Sequence, residues 1–246
     1  MKKIIIALAI LLGGLSQNLQ AEALKMNEPS TEKIVGKVVE AYINLNSFTE
    51  LRTDVVASIK VVQSSRSRIE AQGPERIISV IDASVKEGVL HVTASKDLRM
   101  KNGEKLSLTI YTPMLSRIYQ DGVGSIRCEG SFKTQEMEII NNGVGGVKME
   151  DLQCQLLTVS SNGVGGIDLK GSTEKAVYQS DGVGSIDAYD MISKVTEVRL
   201  DGVGSVHCHA SERIDARNCG VGSIRYEGNP EQVNVHCDGV GNIRRR

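Results

Sequence analysis

The chain has 246 residues and carries 29 Lys and Arg against 30 Asp and Glu, a formal net charge of −1. A balance so close to neutral lacks the basic footprint of a nucleic-acid binder, so no nucleic acid is expected as a partner. Aromatic residues make up 3%, Trp is absent and Gly numbers 25; this excludes a core built on large rings and suits a narrow interior of stacked aliphatic side chains.

In chain order, residues 1–23 read as a secretory signal peptide: Lys2 and Lys3 are the charged start, Ile4 to Leu15 an apolar run too short to span a bilayer, and Ala21-Glu22-Ala23 a cleavage region of small residues. Residues 24–33, with Pro29 and Ser30, read as a polar linker. No second long apolar stretch follows, so no transmembrane segment is expected in the mature chain. The expected location is exported, periplasmic or extracellular.

Residues 34–120 form an N-terminal β region holding the first coils. Val38, Val39, Tyr42, Ile43 and Leu45 fit strands or one helical face, strands being preferred because Gly36 interrupts the helical reading; further strands are expected at Val55-Val56 and over Ile59 to Val62, Ile77 to Ile81, Val89 to Val92, Leu106 to Tyr111 and Leu115 to Tyr119. These are short β-branched runs bounded by Gly, Ser, Asp or Pro. Residues 121–246 repeat one phrase, Asp121-Gly122-Val123-Gly124-Ser125-Ile126, seven times. The opening glycines are Gly122, Gly143, Gly163, Gly182, Gly202, Gly220 and Gly239, at successive spacings of 21, 20, 19, 20, 18 and 19 residues. Repeats this short cannot each carry two helices.

The copies agree column by column. Four residues after each opening glycine stands a β-branched Ile or Val, from Ile126 to Ile243. Like residues stack when each copy lies directly above the last, which predicts an all-β fold, a right-handed parallel β-helix of about 19–20 residues per coil with an atypical N-terminal β cap. Coils about 4.8 Å apart would stretch the seven phrases over roughly 29 Å. The paired glycines are expected at corners. The valine between them is expected to point inward, giving the column Val123, Val144, Val164, Val183, Val203, Val221 and Val240.

The residue before the glycine forms a turn column of Asp121, Asn142, Asn162, Asp181, Asp201 and Asp238. Its structural reading is an Asn ladder with each Asp capping its own turn. Its functional reading is a divalent cation shared by Asp181 and Asp201 on adjacent coils; the structural one is preferred. Five cysteines are an odd count for an oxidising compartment. Cys128 and Cys208 share an inward position four coils apart, beyond bonding reach. Cys219 and Cys237 sit at nearly matching positions on adjacent coils, which makes them the disulfide pair to expect if one forms. His207, Cys208, His209, Cys219, His236 and Cys237 crowd into the last coils without the spacing of a zinc box. No metal, cofactor or catalytic residue is assigned.

The chain resembles the family described as "putative auto-transporter adhesin, head GIN domain". The resemblance is carried by Asn44-Leu45-Asn46-Ser47-Phe48, Ser58 to Gln63, Gly88 to Val92, Leu106 to Pro113 and, most specifically, by the repeated Asp/Asn-Gly-Val-Gly-Ser/Gly-Ile/Val. It implies a right-handed β-helix of bacterial origin and surface adhesion, and brings no catalytic residues. After Gly122 every segment is taken by the coil, leaving none for the strands of about ten residues that a membrane barrel needs. The expected function is therefore an exported, non-enzymatic β-solenoid, binding or structural at the cell envelope. Its partner would be an unknown protein or an envelope polysaccharide, and oligomer formation stays open. The alternative is a polysaccharide lyase or hydrolase on the same scaffold, drawing on Lys148, Asp168 and Asp187 along one exposed face.

Overall fold

The structure, a computed structural model, describes residues 38–94 and 99–246. The expected signal peptide (1–23) and linker (24–33) lie outside these residues. The elements run β1 (Val38–Asn44), β2 (Glu50–Asp54), β3 (Ser58–Gln63), β4 (Arg68–Pro74), α1 (Glu75–Ile78), β5 (Ile81–Lys86), β6 (Val89–Ala94), β7 (Ser107–Thr112), β8 (Arg117–Gln120), β9 (Ile126–Lys133), β10 (Glu136–Asn141), β11 (Val147–Ser161) and β12 (Ile167–Ser180). They continue with β13 (Ile186–Asp187), β14 (Met191–Leu200), β15 (Val206–His209), β16 (Arg213–Asn218), β17 (Ile224–Glu227), β18 (Gln232–Cys237) and β19 (Ile243–Arg245).

From β8 onward each strand pairs in parallel with the equivalent strand of the next coil. Ile126, Val147, Ile167, Ile186, Val206, Ile224 and Ile243 are successive partners, and the glycine-flanked valines make single parallel bridges from Val56 to Val240. The repeat is thus a β-solenoid of stacked coils. The 21- and 20-residue spacings on either side of β11 stay in register because the surplus is taken up at bulges, between Met149 and Asp151 against β9 and between Met149 and Leu152 against β12.

Inside, like residues stack. Ile118, Ile139, Val159, Tyr178, Val198 and Ala216 form one buried column, and Cys128, Met149, Leu169, Ala188, Cys208 and Tyr226 another. Burying a Val, Leu or Ile side chain gives about 1.5–3 kcal/mol, so columns of this length carry most of the favourable free energy of folding. No large ring is needed, which accounts for the low aromatic content.

The N-terminal region closes one end of the stack. β2, Val56 and β3 make a coil beneath β8, Val123 and β9. On their other side they pair with β6 and β7, which come later in the chain. The first coil is therefore inserted between the cap and the repeats rather than standing at the end. Beyond it the pairing turns antiparallel, β1 to β4, β4 to β7 and β5 to β6. The β5–β6 hairpin turns through Glu87 (φ 51°) and Gly88 (φ 78°), the positive-φ pair of a two-residue hairpin.

Two expected strands are different. Val55-Val56 is a corner between β2 and β3, where Val56 makes only a single bridge to Val123. Ile77 to Ile81 is a helical turn, α1, followed by the start of β5. Ile77 and Ile78 are both buried, and two consecutive inward side chains do not fit the two-residue alternation of a strand. Pro74 stands at the N-cap position of the turn, without a side-chain capping hydrogen bond.

Candidate functional site

The glycine corner is the most regular surface of the molecule, and its geometry follows from strand alternation. The residue four before each opening glycine faces the core, so the one two before and the glycine itself face it as well. The glycine is buried against the coil below: a Cβ on Gly182 would stand 2.1 Å from the Gly163 carbonyl oxygen. The valine that follows must then point outward.

This corrects the expected inward column. Val123, Val144, Val164, Val183, Val203 and Val221 are 46–52% exposed, and Val240 70%. Val56, in the inserted first coil and without flanking glycines, joins them at 47%. The corner thus displays eight valines as one apolar ladder, about 34 Å long at the strand spacing. A groove runs between it and the turn column, lined by Asn142, Asn162, Asp181, Asp201, Asp238 and the adjacent glycines and valines.

The turn column also faces outward. Asn162 Nδ2 donates to Asn142 Oδ1 at 2.8 Å, and Asn142 Nδ2 to Asp121 Oδ1 at 3.2 Å, so a ladder forms over three coils. The remaining acids bind side chains: Gln179 donates to Asp181 at 2.7 Å, Arg199 pairs with Asp201, and Arg217 and His236 contact Asp238 at 3.2 and 2.8 Å. The expected capping of each turn by its own Asp is replaced by something the sequence reading missed. The inward residue two before the glycine closes the corner: Gln120, Asn141 and Asn218 donate their side-chain amides to the carbonyls of Gly124, Gly145 and Gly222, the last two at 2.9 and 2.8 Å. Asn218 Oδ1 also accepts from Gly220 N–H at 3.1 Å. A recurring Gln, Asn or Ser at that position was the available signal.

The expected Cys219–Cys237 disulfide is not formed; both thiols are free and exposed. Cys237 pairs in register with Asn218, one residue before Cys219, so the two side chains leave their strands in opposite directions. Cys219 Sγ accepts from Arg217 Nε at 3.2 Å, while Cys237 Sγ lies 3.7 Å from the Gly241 carbonyl, in the place of the closing amides. Burial pushes the Cys128 and Cys208 thiols up to about 12, which leaves them protonated and unreactive.

Of the residues of the enzymatic alternative, Asp187 has among the described residues only His207 Nδ1 beside it, at 3.9 Å, while the other two form an ion pair. Lys148 pairs with Asp168 at 3.3 Å, Arg127 with Glu150 at 3.2 Å and Lys170 with Asp190 at 2.7 Å, and Lys170 holds the Asp190 carboxyl below its ordinary range. His209 Nδ1 lies 3.2 Å from the Ser193 carbonyl oxygen. Among the described residues no three His, Cys, Asp or Glu side chains gather to hold a metal ion, and no helix is long and apolar enough to cross a membrane.

Solved structures share this architecture. A "putative adhesin" from Bacteroides fragilis is 33% identical over 85% of this chain and 97% of its own, with a TM-score of 0.83. A "putative lipid binding protein" from Parabacteroides distasonis and a "putative adhesin" from Parabacteroides merdae are each 22% identical, with TM-scores of 0.63 and 0.62, covering 85% and 86% of this chain and 97% of theirs. At that identity these two share the fold. No curated protein matches. The family model described as "putative auto-transporter adhesin, head GIN domain" matches residues 47–230, a span that takes in the inserted first coil and six of the seven glycine phrases, and the chain belongs to that family.

Proposed function

We propose that this protein is an exported, non-enzymatic β-solenoid that binds a protein or polysaccharide of the cell envelope along its valine corner. The observation that carries the reading is the unbroken outward ladder from Val56 to Val240. The fold needs the glycines beside these valines, yet an outward position can hold a polar residue, as Ser125, Ser185 and Ser205 do two residues later. A continuous exposed apolar stripe edged by hydrogen-bonding groups is the usual form of an interaction surface. Adhesion is also what the family's description names.

The test compares the chain with a Val164→Asp, Val183→Asp double variant on immobilised envelope polysaccharides and envelope protein extracts, with circular dichroism checking the fold. Binding to one class that the folded variant loses by tenfold or more is the expected result. Binding unchanged in the variant, or turnover of any polysaccharide, overturns the proposal.

A further inference from the structure

The outer column five residues after each opening glycine changes character along the solenoid. Lys148, Asp168 and Asp187 follow one another in register, and then His207, Arg225 and Arg244. In the earlier coils opposite charges meet, Arg127 with Glu150 and Lys148 with Asp168, and Asp187 stands 3.9 Å from His207 Nδ1. The last three coils carry no acid in this column. Among the described residues Arg225 and Arg244 make no ion pair, and Arg225 Nε is buried without a hydrogen-bond partner.

Around these two arginines the surface is built up. The rings of Tyr189 and His207 stack at 4.7 Å between centroids with 11° between planes. Arg246 lies 4.9 Å over the Tyr189 ring and is held there by Glu227. Burial lowers the His207 pKa; Asp187 opposes this, and Arg225 and Arg246 reinforce it. Four guanidiniums, those of Arg225, Arg244, Arg245 and Arg246, make the cleft positive, with Asp187 the one carboxylate in its lining. Its volume is about 690 Å³, within the range of small-molecule sites and more than a bare oxyanion fills.

We propose that this cleft binds a phosphate monoester carried on a small organic group. Arg225 and Arg244 stand on adjacent coils, about 4.8 Å apart along the stack. Two guanidinium forks at that spacing match two edges of one phosphate, whereas a carboxylate satisfies a single fork. The Tyr189–His207 stack supplies an apolar ledge for the group that bears the phosphate. That group is either a soluble ester or the headgroup of a lipid.

Calorimetric titration of the full chain with glycerol 3-phosphate, with glycerol as the neutral control, tests the soluble source. Flotation with phosphatidylcholine vesicles, with and without phosphatidic acid, tests the lipid source. Binding in either arm is expected to weaken at least tenfold in Arg225→Gln and to stay unchanged in Arg127→Gln, whose arginine pairs with Glu150 on the same face. The His207 ring resonances should move on ligand addition. Arg244→Gln, at an exposed position, repeats the test independently of any folding defect in the first variant. Absence of binding in both arms, or binding that both cleft variants leave unchanged, overturns the proposal.

Discussion

Gly182→Ala and Val183→Ser, made separately, test which side of the corner faces the core. A Cβ on Gly182 would lie 2.1 Å from the Gly163 carbonyl oxygen and 2.7 Å from the carbonyl carbon of Asn162. That same oxygen accepts the ladder hydrogen bond from Val183 N–H at 2.9 Å. Overpacking against side chains that can yield costs about 1–3 kcal/mol; here the obstacle is backbone, and moving it also weakens a ladder bond, so a loss of about 3 kcal/mol or more is expected. Val183 is 52% exposed, so only about half of the 1.5–3 kcal/mol of a fully buried aliphatic side chain is at stake. Its change to Ser should cost about 0.7–1.5 kcal/mol. Urea unfolding followed by far-UV circular dichroism reads both values from the midpoint and slope. Were the valine inward, Ser would lose the whole burial term and bury a hydroxyl, so a Val183→Ser loss equal to or larger than that of Gly182→Ala refutes the assignment.

Native-state alkylation followed by mass spectrometry should label Cys219 and Cys237 and leave Cys128 and Cys208 unlabelled until denaturant is added. Cys219→Ser should shift stability by no more than about 0.5 kcal/mol, against the 2–5 kcal/mol that losing a disulfide costs. Asn141→Ala, which strands the Gly145 carbonyl, should cost about 2 kcal/mol in urea unfolding, while Asn142→Ala on the outer side costs under about 1. The thiols of Cys128 and Cys208 are pushed up to about 12 from an ordinary 9.0. Their folded-state values lie above the unfolded ones, so the stability they contribute is whole below pH 9 and is lost as the pH rises toward 12. The slope is on the order of 1.4 kcal/mol per pH unit for each thiol. Cys208→Ala, which copies Ala188 one coil earlier, should flatten the alkaline limb of a pH–stability curve, and an unchanged limb would show that the thiol is not the titrating group.

The stacking of coils was legible in the sequence because it depends on spacing alone. Ile126, Val147 and Ile167 recur at the same offset from a glycine, and only vertical neighbours explain a column of β-branched residues. The direction of Val123 was not legible from spacing, since a column recurs equally well on either face. Counting alternate residues from the buried Ile118 through Gln120 to Gly122 gives the direction, and the polar Gln120 and Asn141 obscured that count by looking like surface residues. The cysteine pairing failed for the same reason: a one-residue offset between Cys219 and Cys237 is negligible as distance along the chain but reverses the side of the strand. The insertion of β2 and β3 between the cap and the repeats could not be read, because it is a matter of long-range pairing that leaves no periodic trace. Ile77 and Ile78 matched a strand by composition, which does not register that both are buried side by side in a helical turn.

Alternation also separates what the fold requires from what it leaves free. The opening glycine is fixed by the coil beneath it, and the Ile or Val four residues later is fixed by the core. The outward valine is fixed by neither. Strand preference favours a β-branched residue there, but Thr meets that preference as well as Val does and never occurs in the column. On the proposed function, eight exposed valines in succession answer a demand from outside the coil: a partner that excludes water from the corner would select an apolar side chain over a polar one of the same shape. The glycine ladder makes this surface straight and evenly stepped, so a partner with its own linear repeat can meet it at several coils at once. Each added contact would then bind at the high local concentration set by the ones already made, and on the proposed function weak contacts at single valines would add up to attachment along the stripe.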